Sequence, residues 1–356
     1  MHSPMKGISL RCIKSKNNQD MKPNIFHYAT SELSQDAIFL WLINWAKPEY
    51  KTVNGGMHNL GCDFVRLLIT NKEIAITSIQ TRKQEKNMDI TVDINNSIYL
   101  VVEDKVGSGT HGDQLSRYRK IARENYGHNR ELRFVYIKTE NESSAKLRKI
   151  QLEEQYEVIN REHIIELFKE HEESVRANDI ISDYYECLLA KQEATETYKV
   201  LPYTEWKVPA WQGFYMALES KMNDGAWHYV NRIGNIFWGY YFSEVKVNEG
   251  SLYLQIEQNT FCIKLSVGGD RSSYSHKRDK YRGYIRQCIN DDTSGLCSPG
   301  RLGCGKDMTL FVIDSLSLYG TGKVDIDEYV EKTKKYRELL ERVAEYEKLK
   351  QDNQSL

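Results

Sequence analysis

The sequence predicts an α/β (α+β) protein in two units: a mixed sheet flanked by helices, then a second α+β domain of antiparallel strands closed by a long terminal helix. Three observations predict it. Residues 89–105 contain two runs of polar–apolar alternation separated by Asn95, Asn96 and Ser97, and period-two alternation around turn formers marks a β-hairpin. Helical and strand patterns interleave on either side of that hairpin, from Glu32 to Glu173, an order that places helices on the faces of a sheet. Beyond Pro202 and Pro209 the pattern changes to successive strands, and prolines at such a change mark a boundary. A chain of 356 residues exceeds one ordinary core, so two domains are expected. The divisions are a flexible tail over 1–23, a first core over 24–175, a helical linker over 176–205 and a C-terminal domain over 206–356.

Taken in order, the first helix starts at Glu32, where Ile38, Trp41, Leu42 and Trp45 fall at i, i+3, i+4 and i+7, an apolar stripe for a core. Ser31 and Ser34 are N-cap candidates and Pro48 closes the helix; a carboxylate such as Glu32 is favourable in a first turn. Gly55 and Gly56 read as a turn, 64–69 as helical and 74–81 as a strand leading into the hairpin. After the hairpin, 106–112 is a Gly-rich loop, and Thr110 with Asp113 resembles a capping box for a helix that carries Gln114 and Tyr118 at i and i+4. Strands at 132–139 and 156–159 and a helix at 162–173 complete this unit, and a helix over 178–198 bridges to the next. The second unit reads as a helix over 210–222, strands over 229–247, 251–257, 260–267 and 308–318, and a helix over 324–350. Tyr329, Tyr336 and Val343 of that last helix repeat every seven residues, which suits packing on its own chain or a short dimerising seam. Trp227, Trp238, Tyr240 and Tyr241 suit a core, or stacking surfaces for bases.

Lys and Arg number 49 against 50 Asp and Glu, for a net charge of −1. No global basic field exists, so any phosphate-binding surface must be local. The most basic stretch, 271–286, interleaves six cations with Tyr274, Tyr281 and Tyr284; it suits backbone-phosphate contacts or a solvated helix face. Seven cysteines without a repeating spacing favour a reducing cytoplasm over a disulfide framework. Cys297 and Cys304 flank a Gly-rich loop without the further ligands that zinc requires. The longest apolar run, 37–46, is far short of the ~20 residues needed to span a bilayer, and the polar first twenty residues lack a signal core. A cytoplasmic protein with no membrane partner is expected.

The chemistry concentrates in the hairpin. If the loop is the three residues 95–97, Ile94 pairs with Ile98, and counting away from the turn sets Asp89 opposite Glu103 with Lys105 on the same face. Asp104 then points to the other face, and Asp93 sits two pairs nearer the turn, opposite Tyr99. A two-residue loop would put Asp89 and Glu103 on opposite faces. Cross-strand carboxylates about 5 Å apart repel unless a proton or cation lies between them, and Mg2+ held by one or two carboxylates plus water and substrate phosphate suits that gap.

With Asp89, then Glu103-Asp104-Lys105, then Gln114 and Tyr118, the chain resembles the PD-(D/E)XK nuclease superfamily. It is most similar to the RecB-like bacterial branch, in which a Q-x-x-x-Y helix follows the E-x-K strand. The stretch from Glu32 to Ala37, leading into a Trp-rich helix, also looks like the opening of that branch; Met88 stands where the superfamily's name has Pro. The resemblance implies a restriction-endonuclease-like fold over residues 25 to 170. It implies that Asp89 and Glu103 hold Mg2+ or Mn2+, with the Asp104 carbonyl as a further ligand and Glu32 completing the shell. Lys105 would orient or deprotonate the attacking water or neutralise charge on the phosphorane, and Gln114 and Tyr118 would brace the site or touch substrate. The implied activity is metal-dependent DNA hydrolysis, in defence, restriction or repair. The alternatives are a nuclease fold that has lost its chemistry and serves as a DNA-binding or assembly module, and an RNA nuclease. The C-terminal domain would position substrate, or support a homodimer or a partner protein.

Overall fold

The computed structural model describes residues 22–107, 112–232, 235–293 and 295–353. Two helices come first, α1 (Glu32–Asn44) and α2 (Gly55–Leu68), then the strands β1 (Ile79–Glu85), β2 (Met88–Ile94) and β3 (Ile98–Lys105). The unit continues through α3 (Gln114–Tyr126), β4 (Glu131–Lys138), α4 (Ser144–Leu152), β5 (Glu157–Asn160), α5 (Arg161–Glu170), α6 (Glu172–Arg176) and α7 (Asp179–Glu196). Its five strands form one mixed sheet in chain order. The pairs β1–β2 and β2–β3 are antiparallel, whereas β3–β4 and β4–β5 are parallel and joined across α3 and α4.

The hairpin register is the expected one. Ile94 pairs with Ile98, Asp93 with Tyr99 and Ile90 with Val102. Asn95 and Asn96 both adopt positive φ, a conformation that asparagine tolerates better than most residues. Ile90, Val92, Leu100, Val102, Val135 and Ile137 face a core shared with α1, α2, α5 and α7. Tyr99, Val101 and Tyr136 face the opposite side, under Leu115, Tyr118 and Ala122 of α3 and Ile150 of α4. Ser31 caps α1 by accepting from the Ser34 amide.

Several expected boundaries move. Gly55 and Gly56 form the first turn of α2, capped by Asn54, which accepts from the Met57 amide. A Cβ on Gly56 would sit 2.3 Å from Ser174 Oγ, so that glycine serves close packing. The strand expected over 74–81 begins only at Ile79, because the amides of Thr77 and Ser78 donate to the Asn95 side chain and not to a ladder. The expected capping residue Thr110 lies outside the described residues.

The second unit comprises α8 (Val208–Met222), β6 (Ala226–Arg232), β7 (Asn235–Val247), β8 (Gly250–Glu257), β9 (Thr260–Val267), α9 (Tyr274–Cys288), β10 (Leu296–Cys297), β11 (Asp307–Ile313), α10 (Ser315–Tyr319) and α11 (Ile326–Asp352). Its six strands form an antiparallel sheet in the order β10-β11-β9-β8-β7-β6. The run 229–247 is thus a hairpin and not one strand, and the strand expected over 308–318 stops at Ile313, where Asp314 caps α10 by accepting from the Leu316 amide. Trp227 and Tyr240 are core residues, and α11 packs Tyr329, Tyr336, Leu340 and Val343 into the same core. Much of the basic stretch is engaged within the fold. Lys280 pairs with Glu347 at 3.2 Å, and Arg278 donates to the Gly303 carbonyl at 2.7 Å. The buried Arg282 donates to the Leu310 carbonyl and lies over the Phe311 ring. Among the described residues no helix is long and apolar enough to cross a membrane.

Candidate active site

The site lies where β3 ends. Residues 103 and 105 continue the alternation of Tyr99 and Val101, so their side chains emerge on the α3 side of the sheet, and Glu32 in the first turn of α1 reaches Lys105. Lys105 is 5 % exposed and Glu103 is 0 % exposed. Lys105 Nζ stands 2.7 Å from Glu103 Oε1, 3.5 Å from Glu32 Oε2 and 3.7 Å from Asp89 Oδ2. Asp89 Oδ2 also accepts from the Asp104 amide at 3.2 Å, tying the acidic end of β2 to β3 beyond the last regular pair. Asp89, Glu103, Lys105 and Glu32 therefore converge.

The helix residues join them. Gln114 Nε2 donates to Glu103 Oε1 at 2.6 Å and to the Tyr118 hydroxyl at 3.1 Å, while that hydroxyl donates to the Asn87 carbonyl. One turn of α3 thus braces Glu103 and the β1–β2 turn together. Asp104 faces away, as parity requires: fully buried, its Oδ1 accepts from Gln35 Nε2 at 2.7 Å. Asp93 is held by Arg130 at 2.7 Å and takes no part in the cluster.

Electrostatics follow from crowding in a buried place. Burial, and next the Asp89 charge, push the Glu103 carboxyl up to about 7, against the pull of Lys105. Burial also drives Asp104 well above the usual carboxylate range. For Lys105 burial opposes the charge, but the hydrogen bond to Glu103 and the fields of Glu103, Asp89 and Glu32 outweigh it, so its pKa is raised and it is a cation.

Sequence reasoning gave no role to four neighbours. Gln35 and Asp36 lie three and four residues after Glu32, on one face of α1, and both are buried; that i, i+3, i+4 spacing was the available signal. Burial, then the Asp89 charge, raises Asp36 to about 6. Tyr136 and Lys138 pair with Glu103 and Lys105 across the parallel β3–β4 ladder; parallel register is not written in local sequence.

Unpartnered oxygens test whether a cation suits the site. Glu103 Oε2 and Asp36 Oδ1 are buried without a hydrogen-bond partner among the described residues, and buried polar atoms are rarely left so. Hard carboxylate oxygens match Mg2+ or Mn2+. Among the described residues no three His, Cys, Asp or Glu side chains close into a metal cage.

Residues 20–186 match the family model of the PD-(D/E)XK nuclease superfamily. No curated protein matches the chain, and no solved structure matches it. The matched segment spans the five-stranded sheet, the Asp89–Glu103–Lys105 cluster and part of α7. Residues 20–186, with their restriction-endonuclease-like sheet, are thus similar to the PD-(D/E)XK nuclease superfamily.

Proposed function

We propose that this protein is a metal-dependent deoxyribonuclease of the RecB-like branch, whose nuclease-like core, expected over 24–175, also takes in α7 from the stretch 176–205 expected as a helical linker, with a substrate-positioning C-terminal domain over 206–356. The observation that carries the reading is the convergence of Asp89, Glu103 and Lys105 at the end of β3, with one Glu103 oxygen buried and without a hydrogen-bond partner among the described residues. Asp89 and Glu103 would hold Mg2+ or Mn2+, together with the Asp104 carbonyl and Glu32. Such an ion supplies a water of lowered pKa and positive charge against the developing phosphorane.

The chain's own groups do the rest. Lys105 stands beside three carboxylates and would orient or deprotonate the attacking water or neutralise charge developing on the phosphorane. Gln114 fixes the Glu103 carboxylate that it contacts, and Tyr118 fixes Gln114, the outer-shell support that metal carboxylates depend on. With a net charge of −1, any phosphate contacts would be local. Free thiols at Cys62, Cys187, Cys262 and Cys288 accord with a reducing cytoplasm, where defence, restriction and repair of DNA take place. The test is cleavage of linear, circular and single-stranded DNA, beside RNA, in Mg2+ and Mn2+. DNA cleavage lost in Asp89→Ala supports the reading, whereas binding of DNA without cleavage in either metal points to a silent nuclease fold.

A further inference from the structure

The C-terminal unit is joined to the active-site strand by a continuous chain of hydrogen bonds. Gln212 on α8 accepts from Asn141 Nδ2 at 2.9 Å, and Asn141 Oδ1 accepts from Arg161 Nη2 at 2.7 Å. Arg161 Nη1 donates to the Thr139 carbonyl at 2.9 Å, and the Thr139 hydroxyl donates to Gln35 Oε1 at 2.8 Å. Gln35 Nε2 then donates to Asp104 Oδ1 at 2.7 Å, and the Asp104 amide donates to Asp89 Oδ2 at 3.2 Å. Arg161, Thr139, Gln35 and Asp104 are all buried.

The Asn141 and Gln35 amides each use their oxygen in one direction along this path and their nitrogen in the other. A flipped or displaced amide would leave buried donors facing donors, at the cost of desolvated and unpaired groups. Thr195 bonds both Asn141 and Arg161 beside this path, and the path's last members contact the backbone between Glu103 and Lys105. A second contact holds the same junction: Glu219 on α8 accepts from the Ser144 amide at 2.9 Å and from the Ser143 hydroxyl.

We propose that Gln212 is a positioning residue for the nuclease centre, through which the C-terminal unit fixes the Asp104 backbone and hence the placing of Asp89, Glu103 and Lys105. The kinetic readout rests on the nuclease reading, and the exchange readout does not. Chemistry is sensitive to such placing, because misplacement by about 1 Å costs on the order of 100-fold in rate.

The test uses the full chain with Gln212→Ala, which removes the acceptor, and Gln212→Glu, which keeps an acceptor oxygen for Asn141. In Gln212→Ala, kcat for DNA cleavage falls by about 3- to 30-fold while KM stays within about twofold, and amide hydrogen exchange in the peptide spanning 98–107 accelerates. Gln212→Glu restores both. Gln212→Met, of similar length and without an acceptor, replaces the alanine variant if that fails to fold. Wild-type kcat and exchange in the acceptor-free variant overturn the proposal, as does a Gln212→Glu variant no better than Gln212→Ala. If the wild-type protein cleaves nothing, the nuclease reading fails by itself and exchange alone decides: acceleration upholds the positioning role, and unchanged exchange overturns it.

Discussion

Replacing Glu103 by Gln should stabilise the protein at alkaline pH while abolishing its activity. Burial and the Asp89 charge raise the Glu103 carboxyl from 4.5 to about 7 in the folded chain. The folded state therefore keeps a proton that the unfolded chain releases, and stability falls as pH rises from about 4.5 through about 7. A shift of that size corresponds to about 3 kcal/mol at most, at 1.36 kcal/mol per pH unit. The amide introduced by Glu103→Gln carries no charge at any pH, keeps an oxygen to accept from Lys105 and Gln114, and removes this slope. At pH 8 the variant gains about 1–3 kcal/mol over the wild type, the lower figure allowing for the weaker bond from Lys105 to a neutral acceptor. At pH 4.5 the two are nearly equal. Melting followed by circular dichroism at both pH values, without divalent metal, reads this as a rise of roughly 2–8 °C at pH 8 only. A variant less stable than wild type at pH 8 would refute the claim that Glu103 is a destabilised charge awaiting a cation.

Other outcomes follow from the same contacts. Gln35→Leu leaves Asp104 Oδ1, the Thr139 hydroxyl and the Tyr184 hydroxyl without this partner, for a loss of about 3–6 kcal/mol in chemical denaturation; a loss under about 1 kcal/mol contradicts the network. Tyr118→Phe removes the bonds to Gln114 and Asn87, lowering stability by about 1–2 kcal/mol and slowing cleavage without abolishing it. Asp93→Asn weakens the pair with Arg130 but leaves cleavage within about twofold of wild type; abolished cleavage would move the centre four residues along β2.

The convergence of Asp89, Glu103 and Lys105 was legible because strand parity is rigid. Once Asn95, Asn96 and Ser97 formed an odd loop, Asp89, Glu103 and Lys105 had to share a face. Gln114 and Tyr118 were legible for the same kind of reason, at one helical turn. Residues whose partners lie far along the chain were not. The helix α4 carries no side-chain cap of its own: its first amide, of Ser144, is satisfied by Glu219, 75 residues away. Gly56 looked like a turn residue because its reason is the approach of Ser174. Two cations of the basic stretch, Lys280 and Arg282, are engaged by Glu347 and the Leu310 carbonyl, both distant in sequence.

The most direct measurement is single-turnover cleavage of linear DNA in Mg2+ by wild type and by Lys105→Met, with folding of both checked by circular dichroism. The account predicts cleavage by the wild type that requires the metal, and a loss of at least about 100-fold in the folded variant, the scale of removing one preorganised charge-stabilising donor. Cleavage that survives in Lys105→Met, or that proceeds equally after metal is chelated, would contradict it.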